Sequence, residues 1–283
     1  MKVAIIGYGF VGKAIENALH DSVELYLVDP ILKTKIVELS NFKPEIIFVC
    51  VPTPMNDDGS QNSEIINSVI QEINELSLES KIVIKSTVLP DVILEIEKLV
   101  PKVVYNPEFL REKHAFEDFI ESEIIIFGGE MATSIEIGDF YKNHTRCKCN
   151  EFQFTDLVTA SLIKYSINTF LATKVVFFNE IFNIFRELSR DDKWDEFIGI
   201  ISKDERIGSS HMSVPGHDGR YGFGGACLPK DTLALLKYSE GINQPLSLLK
   251  KSVEINNNIR SKYQKKTQRE YDQNVEFKID NKD

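Results

Sequence analysis

The chain has 283 residues, 42% of them hydrophobic, with 33 basic and 43 acidic side chains and a formal net charge of −10. That length suggests two domains of ordinary size, each with enough apolar residues to build a core. The acidic balance excludes a nucleic acid held through many phosphate contacts, whereas a small anionic ligand needs only a local pocket of donors.

The chain opens with a lysine and an apolar run, Val3 to Ile6, which superficially resembles a secretory leader. Glycines at 7, 9 and 12 and Lys13 interrupt it, so a strand, a turn and a helix from Phe10 to about Leu19 are expected instead. No membrane span is expected. A second strand, Val23–Val28, ends in Asp29-Pro30, and a helix-length segment leads to an apolar strand at Glu45–Val51. A helix over Asn62–Leu76, a strand at Lys81–Lys85, a helix over Asp91–Leu99 and strands at Lys102–Tyr105 and Glu123–Phe127 follow. Short continuous apolar strands imply burial on both faces, and their alternation with helices predicts an α/β fold: a Rossmann-like, doubly wound parallel sheet over residues 1–150.

The composition then changes. Between Thr155 and Arg190 there is no Gly or Pro, and Leu157, Leu162, Ile163, Ile167, Phe170, Phe178, Phe182 and Phe185 recur at helical spacing. This predicts one long helix whose aromatic face suits a core or a subunit interface. A shorter helix over Lys193–Ile201 holds the only Trp, and Ser202–Tyr221 reads as a polar loop. Helices from Pro229 to about Ser239 and from Pro245 towards Lys265 complete an all-α central domain over 151–265, and residues 266–283 read as a polar, frayed tail. The four cysteines, at 50, 147, 149 and 227, do not form a disulfide framework, which points to a reducing cytoplasm. Cys147-x-Cys149 stands near His144 without a second pair of ligand spacing, so no metal is assigned.

Two segments carry chemistry. Gly7-Tyr8-Gly9-Phe10-Val11-Gly12 follows a strand directly and opens a helix, and Asp29 ends the next strand. That context is the dinucleotide fingerprint, with the pyrophosphate on the helix N-terminus and Asp29 on the adenosine ribose. A carboxylate there repels a 2′-phosphate, so NAD is favoured over NADP. The second segment is Gly224-Gly225-Ala226-Cys227-Leu228-Pro229-Lys230-Asp231-Thr232, one cysteine between a glycine turn and a proline-started helix. A helix N-terminus and a neighbouring lysine lower a thiol pKa and favour a nucleophilic thiolate; a small buried apolar residue beside a turn is the plainer alternative. Val51-Pro52-Thr53-Pro54 and Ser86-Thr87-Val88 are strand ends whose hydroxyls face the dinucleotide crevice or simply terminate strands.

These pieces in this order resemble the UDP-glucose/GDP-mannose dehydrogenase family. The matching segments are GYGFVG at 7–12, VPTP at 51–54, KSTV at 85–88, NPEFLRE at 106–112, a helix with Lys164 and Asn168, GFGGACLPKDT at 222–232 and NNNIR at 256–260. The resemblance implies a four-electron oxidation of the C6 alcohol of a nucleotide sugar by two NAD molecules, with Cys227 as the covalent nucleophile. UDP-glucose is the leading substrate; GDP-mannose, a UDP-N-acetylhexosamine, or a non-catalytic NAD-binding dimerisation subunit are the alternatives. It makes Lys164 and Asn168 the cation and amide that hold the reacting oxygen, and Asp231 the carboxylate that works with them. Glu108 becomes the candidate base for thioester hydrolysis, Glu112 a cofactor- or water-positioning group, Thr87 part of the water network and Thr53 a cofactor contact. Phe10 and Val11 join the glycines at the cofactor, and Phe109, Leu110, Phe223 and Gly224 flank the sugar. Arg220, in a loop longer than the family's usual one, is the candidate for a substrate phosphate. The long helix matches the family's dimer-forming element, so a homodimer is expected. Two departures stand out: Lys113 replaces the usual glycine after NPEFLRE, and the chain has no room for the family's third, nucleotide-gripping domain.

Overall fold

The computed structural model describes residues 1–111, 114–149 and 151–278. They form two compact units, Met1–Thr53 with Asn62–Lys164 and Pro54–Gln61 with Tyr165–Asp283. The division falls inside a helix, beyond the change of composition near residue 150, because the first turns of that helix belong to the sheet's core. Leu157 and Ala160 are buried there, and the Ser161 hydroxyl donates to the Val88 carbonyl at 2.7 Å.

The first unit is built on a seven-stranded sheet in the order β2-β1-β3-β4-β5-β6-β7. The strands are β1 (Lys2–Ile6), β2 (Glu24–Val28), β3 (Ile46–Val49), β4 (Lys81–Ile84), β5 (Val104–Tyr105), β6 (Ile126–Gly128) and β7 (Gln153–Thr155). Its helices are α1 (Phe10–Ala18), α2 (Leu39–Phe42), α3 (Glu64–Glu75), α4 (Pro90–Leu99), α5 (Ala115–Ile120), α6 (Met131–His144) and the start of α7 (Leu157–Glu187). Alternate residues of each strand enter opposite cores: Ala4, Ile6, Ile47, Val49, Ile82 and Ile84 on one face, Val3, Ile5, Ile46, Phe48 and Val83 on the other. Both faces of the sheet are covered, which is why the strands read as unbroken apolar runs.

Three features depart from the sequence pattern. The sheet is not wholly parallel: β6 runs antiparallel to β5 through the Tyr105↔Gly128 pair. The six-residue α5, about 9 Å long, makes no full crossover, so the chain returns along its neighbour instead of beside it in parallel. The seventh strand, β7, is three residues of mixed polarity and carries no apolar run. Between Asp29 and Glu45 the expected helix is broken into two 3₁₀ turns and one helical turn, with Lys33 and Lys43 both left-handed at φ 59° and 53°.

The second unit contains the rest of α7, then α8 (Trp194–Ile201), α9 (Leu228–Gly241), α10 (Ser247–Arg260) and α11 (Gln268–Asp272). Phe178 and Phe182 of α7 bury against Trp194 of α8, with the Phe182 and Trp194 ring centroids 5.1 Å apart and edge-on. The polar loop between α8 and α9 contributes Met212 and Val214 to this core, so it is an ordered wall rather than a solvated connection. On α7, Phe170, Phe177, Ile184 and Leu188 are 66%, 53%, 55% and 66% exposed. The first three are seven residues apart and form one stripe. The described part of the tail, residues 266–278, is also ordered: Thr267 and Glu270 form a reciprocal capping box on α11, and Glu270 and Val275 are fully buried. Its polar composition suggested fraying, but its one critical carboxylate has buried partners.

Candidate active site

In the first unit the carboxyl ends of β1, β3, β4 and β5 lie on one edge of the sheet, because these strands are parallel. The strand order reverses between β1 and β3, the switch point where doubly wound sheets open a crevice. The glycine loop sits at the end of β1. Gly7 has φ +94°, and a Cβ there would meet the Cys50 carbonyl oxygen at 2.7 Å. A Cβ on Gly12 would lie 2.3 Å from the Gly7 oxygen, whereas Gly9 has nothing within 4 Å. Two glycines are therefore required by the turn, and the third faces the open space that a pyrophosphate needs. Asp29 spans this loop: its Oδ2 accepts from the Tyr8 N–H at 2.7 Å and its Oδ1 from the Ile31 N–H at 2.8 Å. Phe10 and Val11 open α1 beside it, both half-buried.

The next two strand ends are stitched together. The Thr53 hydroxyl donates to the Thr87 carbonyl at 2.8 Å, and the Ser86 hydroxyl to the Val51 carbonyl at 2.7 Å; all four residues are buried. After β5, Asn106 accepts at Oδ1 from the Lys85 ammonium at 2.9 Å and from the Tyr141 hydroxyl at 2.6 Å, and donates to the Ile126 carbonyl at 2.8 Å. Burial drives the Lys85 amine down to about 8, against the pull of Cys50 and Glu108. The same burial pushes the Cys50 thiol up to about 12, so this cysteine is no nucleophile at neutral pH.

Glu108 and Lys164 meet in the first unit. The Lys164 ammonium donates to the Glu108 carbonyl, lies 3.4 Å from its carboxylate Oε1, and sits 5.1 Å over the Phe109 ring. Glu108 in turn accepts from the Leu110 N–H at 2.6 Å. The two side chains are only 7% and 3% exposed, which excludes a solvated surface lysine. Desolvating such a pair costs several kcal/mol per ion, so it is poor as a stabilising device and good as a preset charge pair. Glu112 and Lys113 lie outside the described residues.

In the second unit Cys227 stands at the N-cap of the 14-residue α9. There it meets the positive end of the helix dipole. Four residues on, Asp231 is 1% exposed. Its Oδ2 accepts from the Asn168 amide at 2.6 Å and its Oδ1 from the Lys230 ammonium at 2.5 Å. Lys230, expected to act beside the thiol, is thus tied to Asp231. Phe223 is buried and Gly224 half-buried in the preceding loop. Arg220 is engaged too: its guanidinium lies 5.2 Å over the Tyr263 ring and 3.8 Å from Glu270 Oε2. Lys164 and Asn168 are one turn apart on α7. Two cavities of the second unit, about 490 and 350 Å³, are lined by none of the predicted site residues.

Several ordering residues carry no local signal. Asn179, Asn256, Tyr263 and Glu270 each bind the backbone of the cysteine loop, and Lys85 with Tyr141 holds Asn106. Of these, only Asn256, in NNNIR, and Lys85, in KSTV, stood inside a recognised motif.

A doubly wound sheet with a glycine-loop crevice, followed by a helical unit with a cysteine at a helix N-terminus, defines an α/β protein of the dinucleotide-binding class. The chain belongs to the UDP-glucose/GDP-mannose dehydrogenase family: the family's NAD binding domain matches residues 14–144 and its central domain residues 158–258. It is 30% identical over 299 residues to a UDP-glucose 6-dehydrogenase of Campylobacter jejuni, covering 93% of this chain and 73% of that one. It is 34% identical over 227 residues to a UDP-glucose 6-dehydrogenase of Rickettsia felis, covering 77% and 48%. A solved UDP-glucose dehydrogenase from Pyrobaculum islandicum superposes with a TM-score of 0.74 at 25% identity, covering 90% and 67%. The chain spans about half the length of the first curated relatives it matches. Among the described residues no helix is long and apolar enough to cross a membrane.

Proposed function

We propose that this chain carries the NAD-binding and covalent chemistry of a nucleotide-sugar 6-dehydrogenase, with UDP-glucose as substrate and UDP-glucuronate as product. The observation that carries this reading is the second-unit arrangement of Cys227 at the head of α9 with Asp231, one turn on, buried against Asn168. A simple alcohol dehydrogenase has no need of a nucleophilic sulfur. NAD, when bound, accepts one hydride in each of the two oxidations.

In this scheme the C6 hydroxyl loses its proton and a hydride to give the aldehyde. The Cys227 thiolate adds to the aldehyde carbon, forming a C–S bond and a thiohemiacetal. Loss of a second hydride leaves a thioester, and water then breaks the C–S bond, releasing the carboxylate and returning the thiolate. Lys164 and Asn168 hold the oxygen on which charge develops, Asp231 with Thr87 orders water, and Glu108 takes the proton of the hydrolytic water. Glu108 already faces the Lys164 ammonium in a buried pair. Thr53, Phe10, Val11, Gly7, Gly9, Gly12, Asp29 and Glu112 serve the cofactor; Phe109, Leu110, Phe223, Gly224 and Arg220 flank the sugar. For Arg220 to reach a phosphate it must leave Glu270 and Tyr263.

The exposed Phe170, Phe177 and Ile184 stripe supports a homodimer through α7, since a soluble monomer rarely leaves such a face in water. Sedimentation reads the oligomeric state, and a monomer at all concentrations removes this part of the proposal.

The decisive assay mixes the protein with NAD and single nucleotide sugars and follows NADH. Two NADH per UDP-glucose is the expected result. The same stoichiometry only with GDP-mannose or a UDP-N-acetylhexosamine moves the substrate within the family. One NADH per sugar overturns the covalent scheme, and none on any sugar leaves an NAD-binding dimerisation subunit.

A further inference from the structure

The loop that delivers Cys227 is held by side chains acting on its backbone. The Tyr263 hydroxyl accepts from the Tyr221 N–H at 2.9 Å, and Asn179 Oδ1 from the Gly222 N–H at 2.9 Å. Asn256 pairs with both groups of Phe223, accepting from its N–H at 2.7 Å and donating to its carbonyl at 3.0 Å. Closest to the cysteine, Glu270 Oε1 accepts from the Gly225 N–H at 3.1 Å.

Glu270 differs from the other three in carrying charge while fully buried. The same Oε1 accepts from Arg260 Nη2 at 2.9 Å, and Oε2 accepts from the Thr267 N–H at 2.7 Å. Arg260 is 1% exposed and also donates to Asp218 Oδ2 at 2.8 Å. Its guanidinium lies directly against Gly224: a Cβ there would stand 1.5 Å from Nη2 and 2.7 Å from Glu270 Oε1. Gly224 therefore has no side chain because the ion pair occupies that space. Removing the carboxylate leaves a buried arginine with Asp218 as its remaining carboxylate partner, pressed against the loop that bears the nucleophile.

The tail that supplies Glu270 has a second, separate anchor. The Met55 N–H donates to the Gln273 carbonyl at 3.1 Å, Asn274 Nδ2 donates to the Met55 carbonyl at 3.0 Å, and Val275 is fully buried. Docking of the tail and the charge it delivers can thus be altered independently.

We propose that Glu270 is a positioning residue for Cys227: its carboxylate locks Arg260 and the Gly225 N–H, and so fixes the cysteine loop at the head of α9. The link to turnover rests on Cys227 being the nucleophile; the lock itself does not.

Peptide-resolved alkylation of the intact chain by iodoacetamide tests it, with Cys149, in the other unit, as the internal control. Glu270→Gln should raise the Cys227 rate about tenfold, the effect of losing one charge-assisted hydrogen bond, and leave Cys149 within about twofold. Glu270→Asp, which keeps the charge, should recover most of the wild-type rate. Val275→Ala, which loosens the tail but spares the carboxylate, should stay within about twofold of wild type at Cys227. The proposal is overturned if Glu270→Gln leaves Cys227 unchanged or speeds both cysteines equally. It is equally overturned if Glu270→Asp or Val275→Ala matches Glu270→Gln. Failure of the covalent reading shows separately, as full NADH formation by protein already alkylated at Cys227.

Discussion

The glycine loop of the first unit and the cysteine loop of the second are both turns that open a helix, yet they are held in opposite ways. The glycine loop is fixed by close backbone packing against Cys50 and by the end of the adjacent strand β2: the Gly7 N–H donates to the Val28 carbonyl at 2.9 Å and the Tyr8 N–H to Asp29. The cysteine loop takes its partners from Asn179, Asn256, Tyr263 and Glu270, up to 45 residues away. A loop that binds a ligand through its backbone must be small and self-supporting. A loop that presents a reactive side chain can be braced from behind by groups that never touch the ligand.

The sharpest break in this comparison is at the sulfur. Cys227→Ser should stop the reaction after one hydride, lowering uronate formation by at least about a thousandfold while NAD binding stays intact. Quantifying aldehyde and uronate by mass spectrometry checks it, and wild-type uronate yield from the serine variant would refute covalent catalysis.

Next is the preset pair of the first unit. Lys164→Ala removes the ammonium from beside Glu108 and should lower kcat by about 10²–10³-fold, the scale of one oxyanion donor. A loss below a few-fold in steady-state kinetics takes Lys164 out of the chemistry.

Asp29→Ala acts only on the self-supporting loop. It takes the acceptor from the Tyr8 N–H and from the ribose, and should weaken NAD by about tenfold or more without changing Cys227 alkylation. Calorimetric titration with NAD measures this, and an unchanged Kd contradicts the assignment.

The smallest effect is on acid stability. Burial works against the Glu270 carboxylate, but the N–H groups of Thr267 and Gly225 and the Arg260 guanidinium outweigh it and hold it below the ordinary range. The unfolded chain then binds this proton more readily than the folded one. Stability from this group is complete above the unfolded carboxylate pKa of about 4.3 and is lost as pH falls through the folded value. The Tm of the wild type should therefore drop more steeply below that pH than that of Glu270→Gln. Parallel Tm curves would show that Glu270 does not contribute in this way.

The α/β class, the glycine fingerprint, Asp29, the long helix and the cysteine at a helix start were all legible in the chain itself. Each depends on a local rule: apolar periods, a strand followed by glycines, a proline at the first helical position. Less legible was β7, whose Gln153-Phe154-Thr155 has no apolar run and pairs only because β6 offers it an edge. The antiparallel step at β5 and β6 was equally hidden, since strand direction depends on how far the intervening chain can reach. Lys164 was singled out only through the family resemblance, since its own sequence context is that of an ordinary helix lysine, and its burial against Glu108 was hidden; Glu270 read as part of a polar tail.

The sequence by itself determined most of the elements, the glycine turn of a dinucleotide fingerprint and which sulfur is offered at a helix end, because backbone sterics and periodicity act over a few residues. Only the tertiary structure decided which buried polar groups face one another: Glu108 with Lys164, Asp231 with Asn168, Glu270 with Arg260. Such pairs are set by the desolvation that folding imposes on residues far apart in the chain, and no local pattern encodes that burial.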